Sequence, residues 1–154
     1  MPISTIHPFI VHFALSFVLL AAVMEAMPGV RARIPQKGQT LIWRCTLLSV
    51  FLAVLTGWLS FYTLENRFSP LPRLAGLHRL GGIAGLGLLL ILRAIKEESG
   101  PGRTARPLSQ SGLKKTFALA ILLVFLATAT LGGHLVYHNR LGTDFWSKSD
   151  PGTP

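Results

Sequence analysis

Charge is what this sequence has least of. Of its 154 residues only 14% are Asp, Glu, Lys or Arg, against about 25% in ordinary soluble domains. Acidic residues are scarcest: there are 6, against 15 Lys and Arg. No carboxylate pair is placed for acid–base work, and there is no Ser/His/Asp set, no HExxH and no phosphate-binding loop. A non-catalytic protein is the reading this implies. Cysteine is limited to Cys45, which excludes a disulfide framework and any Cys-rich zinc or iron–sulfur site. Disorder is excluded by the opposite excess. Half of the residues are apolar and the mean hydropathy is +0.50, so the chain has ample surface to bury. The length fits one domain.

What is present is a set of long uncharged runs. Met1 to Met24 carries no charged side chain, Cys45 to Leu64 runs 20 residues without one, and Thr116 to Asn139 runs 24. A fourth run, Leu80 to Leu92, is 13 residues. It reaches spanning length if Leu74 to Arg79 and Arg93 to Ile95 are added, with both arginines snorkelling to the interfaces. A bilayer core needs about 20 helical residues. The sequence therefore predicts an all-α membrane four-helix bundle, up-down-up-down, with spans at about 8–27, 41–64, 74–95 and 115–138. Residues 1–140 form the single domain and 141–154 a tail. A buried or re-entrant segment is the alternative for the third run. The first run lacks the basic n-region and the small-residue site of a cleaved signal, so it reads as a retained span. Pro8 suits the first turn of that helix.

Basic residues sort the loops. Arg31, Arg33, Lys37 and Arg44 follow the first span, and Arg93, Lys96, Arg103, Arg106, Lys114 and Lys115 follow the third. Only Arg67, Arg73, Arg79, Arg140 and Lys148 lie on the other side. The positive-inside rule then places both termini outside the cytoplasm, in a membrane that reads as a prokaryotic inner membrane. These charges flank spans and face lipid headgroups; they form no stripe for nucleic acid. Residues 96–115 are rich in Gly, Pro, Ser and charge and read as a mobile connection. Trp43, Arg44 and Cys45 read as an interfacial anchor, as do Phe145 and Trp146 in the tail. Glu25 is expected to pair with a loop arginine.

All five histidines, His7, His12, His78, His134 and His138, fall in the extracytoplasmic half of this arrangement, on three of the four spans. Ionisable residues within spans are functional candidates by default. Gly81, Gly82 and Gly85 stand at i+3, i+4 and i+7 from His78, on its face of the helix. Two readings of them stay open: close packing of another helix, through the Gly81–Gly85 spacing, or a flat macrocycle hung from the His78 ring. Ser16 and Thr130 lie one turn from His12 and His134 and could fix ring tautomers; ordinary interhelical bonding is the alternative. The second span offers Thr56, Gly57, Ser60, Tyr62 and Glu65 at this level.

No Cys or Met joins the layer, which argues against a copper thiolate site. A b-type haem held by two histidines in an apolar pocket suits the residues best. The first and third spans are diagonal in such a bundle, so His12 and His78 are expected as the axial pair, with His7 and His134 as secondary metal candidates. Gly81, Gly82 and Gly85 would floor the haem. Arg79, Arg140, His134 and His138 would meet propionates or an anionic partner. The role implied is electron transfer with a partner redox protein or a quinone. Two other functions stay open: a cofactor-free interaction or assembly subunit, and a metal-handling permease.

Several stretches resemble an uncharacterised prokaryotic family of four-helix membrane proteins, a domain of unknown function. His7-Pro8-Phe9-Ile10-Val11-His12-Phe13 is similar to the family's HPxxVHFP start, with Ala14 in place of the proline. Thr56-Gly57 and His78 match a Thr–Gly pair and a histidine opening the third helix. Gly132-Gly133-His134-Leu135-Val136-Tyr137 resembles its GGxLVY ending, and Gly142 fits a glycine after it; Arg140 stands where glycine is common. The resemblance covers all four spans and implies His7, His12 and His78 as the shared set, because His134 falls at a variable position. The family's occasional fusion to cytochrome c or Rieske-type modules implies electron transfer by analogy.

Overall fold

The computed structural model describes residues 3–65, 73–98 and 109–137. They form five helices: α1 (Ile3–Ala26), α2 (Pro28–Arg33), α3 (Gln36–Glu65), α4 (Arg73–Glu98) and α5 (Ser109–Tyr137). The predicted all-α class is the observed one. Four stretches are long and apolar enough to cross a membrane: Ile6–Ala26, Gln36–Thr63, Arg73–Ile95 and Lys115–Val136. His138, Arg140, the tail 141–154 and residues 99–108 of the basic connection lie outside the described residues.

The helices outrun the apolar runs that announce them. Hydrophobicity marks what lipid must cover, whereas backbone hydrogen bonding continues until a residue breaks it. Polar segments such as Gln36–Thr40 therefore extend the helices. For the same reason Pro8 sits inside α1, which begins at Ile3, and not in its first turn. The bond it forfeits is to a carbonyl near the helix end. α4 is one unbroken helix of 26 residues, which leaves no break for a re-entrant turn. Pro28 opens the short α2 at its first turn, where a missing N–H costs nothing.

The four long helices pack in the ring order α1–α3–α4–α5, so α1 and α4 lie on a diagonal. The α1–α3 seam is the most extensive and the α3–α4 seam the sparsest. Each helix turns a stripe spaced alternately by three and four residues toward the axis. On α1 the stripe is Val11, Ala14, Val18, Ala21 and Glu25; on α3 it is Trp43, Thr46, Val50, Ala53, Gly57 and Ser60. On α4 it is Ala75, His78, Gly82, Gly85, Leu89 and Leu92; on α5 it is Ala118, Ile121, Phe125, Thr128, Gly132 and Leu135. This is the seam of coiled-coil-like bundles. Its middle is fully buried at Val18, Val50, Leu89 and Ile121. Outside, Phe9, Phe51, Leu80, Leu90, Leu119 and Leu123 are all exposed, a surface suited to lipid and costly in water.

Polar bonds tie one end of the bundle. Glu25 is buried and accepts from Trp43 Nε1 (3.2 Å) and Arg31 Nη1 (3.4 Å). The expected partnership with a loop arginine is thus observed, but Trp43 is not an interfacial anchor: it is 2% exposed and belongs to the core. Gln39 Nε2 donates to the carbonyls of Arg31 (3.1 Å) and Ile34 (2.9 Å), closing the end of α2. Thr46 Oγ1 lies 3.2 Å from the Phe17 carbonyl across the α1–α3 seam.

Glycine sets the α4–α5 approach. A Cβ at Gly85 would stand 2.7 Å from Phe125 Cε2, and one at Gly81 would overlap Thr128 Oγ1. Gly85→Leu should therefore cost about 1–3 kcal/mol by overpacking. Trp43→Phe, which strips a buried donor from Glu25, should also cost about 1–3 kcal/mol. Both are measured by denaturant-detergent unfolding of the purified protein. Wild-type stability in Gly85→Leu would show that the helices do not meet as closely as described.

Candidate functional site

The other end of the bundle holds the imidazoles. His7 near the start of α1 and His78 on α4 meet across the diagonal, with ring centroids 6.1 Å apart and ring planes at 79°. Each ring is held by an oxygen from a neighbouring helix. His78 Nδ1 lies 2.8 Å from the Thr128 carbonyl of α5. A carbonyl only accepts, so Nδ1 carries the proton and, in the neutral ring, Nε2 keeps its lone pair. His7 Nδ1 lies 3.0 Å from Thr56 Oγ1 of α3. The Thr56 hydroxyl spends its hydrogen on the backbone, with the Leu52 carbonyl at 2.8 Å and that of Ala53 at 3.2 Å. Toward His7 the hydroxyl oxygen is free to accept, and the Nδ1–H tautomer is the one this arrangement favours.

Each ring also rests on a glycine. A Cβ at Gly57 would stand 2.9 Å from His7 Cε1, and one at Gly132 would stand 2.7 Å from His78 Cε1. The two imidazoles thus have equivalent berths, an accepting oxygen beside a bare backbone. Thr56 and Gly57 supply one; Thr128 and Gly132, one turn apart, supply the other.

Beside the rings lies a cavity of about 310 Å³ reached by all four long helices. That is at the small end of the ligand-pocket range, about 300–1,000 Å³. Its walls are mostly apolar, with Val11, Leu15, Val54 and Phe61 among them; His7, His12, His78, Ser60 and Arg79 add polar groups. The Arg79 guanidinium lies over the rings of Phe61 (4.4 Å) and Trp58 (5.0 Å). Arg79 Nε and Ser60 Oγ are buried without a hydrogen-bond partner among the described residues.

The axial pair expected from the diagonal, His12 with His78, is not the pair that meets. His12 is exposed and its Nδ1 donates to the Pro8 carbonyl of its own helix at 2.6 Å. Five residues turn a helix by about 140°, so His7 and His12 cannot both face the axis. The signal that selects His7 is the α1 stripe itself, which runs back from Ala14 through Val11 to His7 in steps of three and four. Gly82 lines the cavity, but Gly81 and Gly85 do not floor it, because Thr128 and Phe125 cover them. Of the two open readings, helix packing is the one they serve. Ser16 donates to the His12 carbonyl (2.8 Å) and Thr130 to that of Leu126 (2.9 Å), both within their own helices. His134 is exposed, and the side chain of Glu65 lies outside the described residues. Among the described residues no three His, Cys, Asp or Glu gather as a metal site. Thr128 and the seat at Gly132 went unnoticed in the sequence; the 3–4 stripe through Phe125 would have found both.

Residues 3–144 match the family described as "Predicted membrane protein (DUF2231)", and the chain belongs to that family. No curated protein and no solved structure matches it.

Nitrogen NMR of imidazole-labelled protein should report His7 and His78 as Nδ1–H tautomers without any added ligand. Thr56→Val should shift only His7, and Gly132→Ala, whose methyl overlaps the ring, should shift only His78. An Nε2–H signal for either ring would refute the berths.

Proposed function

We propose that this integral membrane protein binds a b-type haem between His7 and His78 and carries electrons near one face of the membrane. One observation carries the reading: two imidazoles on diagonal helices, each with Nδ1 against an oxygen of a neighbouring helix, with ring centroids 6.1 Å apart. Imidazole nitrogens are common ligands of first-row metals, and His7 and His78 would be the residues that hold the iron. Fixing Nδ1–H on an oxygen is how proteins orient a histidine ligand and raise its basicity. The apolar walls suit a macrocycle. A tetrapyrrole is larger than the enclosed volume, and the sparse α3–α4 seam is where its edge would emerge.

Bound there, haem supplies one-electron chemistry. The chain supplies ligation, orientation and a dry wall. A prokaryotic inner membrane, an extracytoplasmic histidine end, and exchange with a redox protein or a quinone all belong to this proposal. The cofactor-free interaction subunit drew support from Gly81 and Gly85, yet those glycines are engaged inside the chain. The permease drew on the histidine layer; among the described residues the imidazoles in ring contact are His7 and His78.

Reduced-minus-oxidised absorption spectra of protein made with ample haem test the proposal. Low-spin haem bands are expected in the wild type, in His12→Ala and in His134→Ala. They should be lost in His7→Ala and in His78→Ala. A colourless wild type would end the haem reading, and bands that survive His7→Ala would end this ligand pair.

A further inference from the structure

The cavity wall carries two polar groups that the imidazole pair does not use. Ser60 is 6% exposed, lines the cavity, and its Oγ has no partner among the described residues. That is anomalous in this molecule. Thr46, Ser49, Thr56, Thr63, Thr128 and Thr130 all donate to a backbone carbonyl three or four residues back. A helical serine has that carbonyl within reach at no cost, and Ser60 leaves it. Arg79 lines the same cavity. Its guanidinium lies on the rings of Trp58 and Phe61 of α3. Aromatic faces hold the cation and accept none of its five N–H donors. Among the described residues its Nε is buried with no hydrogen-bond partner, and the ion pair of Arg31 with Glu25 is at the far end of the bundle. A buried guanidinium donor facing a cavity calls for an acceptor of opposite charge.

We infer that Arg79 and Ser60 form a carboxylate-binding site at the wall of the cavity, for an amphipathic ligand whose apolar body fills the remainder. Arg79 Nε–H and the Ser60 hydroxyl are the two donors. Trp58 and Phe61 fix the guanidinium so that little rotamer entropy is lost on binding. The identity of the ligand rests on the reading above, under which the carboxylates are those of the tetrapyrrole. The site itself rests on the unpaired donors.

Metal-free protoporphyrin IX separates the two, since it carries the carboxylates and offers no iron to histidine. The full-length protein in detergent is titrated with the diacid and with its dimethyl ester, and binding is read by porphyrin fluorescence. The diacid should bind the wild type about tenfold tighter than the ester, the worth of one charge-assisted hydrogen bond. Arg79→Gln should abolish that preference. Ser60→Ala, which leaves the packing nearly intact, should reduce it several-fold. Equal affinities in the wild type, no binding of either porphyrin, or a preference that survives both substitutions overturns the site. Haemin spectra of His7→Ala report the axial ligands separately. Loss of the haem reading with the diacid preference intact leaves the carboxylate site standing.

Discussion

An imidazole inside a lipid-bounded bundle has two polar nitrogens that apolar neighbours cannot satisfy. That constraint organises the histidine end of this molecule. Thr56 and the Thr128 carbonyl take the two ring protons, and each oxygen comes from a helix adjacent to the one bearing the ring. The rings can reach those oxygens only where the neighbouring backbone is bare, so Gly57 and Gly132 follow from the bonds and not from any need for flexibility. Both Nδ1 atoms are held at the flanks by these oxygens. Without Thr56 and Thr128, desolvation would make such a pair costly.

Much of this was legible in the sequence, and the part that was not has one cause. Gaps in charge located four spans, because lipid tolerates few charges and the chain spends them between helices. The diagonal relation of the first and third spans followed from the up-down-up-down order. Depth along each helix came from counting residues, and it placed His7, His12 and His78 in one layer. Rotation about each helix did not come from counting. His12 was paired with His78 from the diagonal of the bundle, although it falls off the stripe that Ala14, Val18 and Ala21 define. In a helix whose outer face is as apolar as its inner one, hydrophobicity does not reveal which side is buried. Small residues do, and the run of Ala on α1 and Gly on α4 was the rotational signal. The same ambiguity sent Gly81 to the cavity, when its neighbour Gly82 lies there and Gly81 meets Thr128.

Trp43 illustrates a second limit. A tryptophan beside arginine at the end of an apolar run has the look of an interfacial anchor. Its indole N–H instead finds Glu25, which is buried with it. Neither residue alone predicts this. The pairing needs α1 and α3 to lie antiparallel in a register that also sets Thr46 against Phe17 and His7 against Thr56. One register therefore builds both polar ends.

Between those ends the bundle is dry. Val18, Val50, Leu89 and Ile121, one from each long helix, are at most 2% exposed and belong to one packed cluster. An ion or proton moving from the histidine cavity toward Glu25 would have to cross this apolar layer, where an isolated charge is severely penalised. A transport role would need the seams to open, against the best-packed part of the structure. An electron exchanged at one face needs no such passage. The separation of a polar, cavity-bearing end from a stapled end by a closed middle therefore weighs toward chemistry confined to one side of the membrane, and toward Glu25 and Trp43 as the clasp that keeps the opposite end shut.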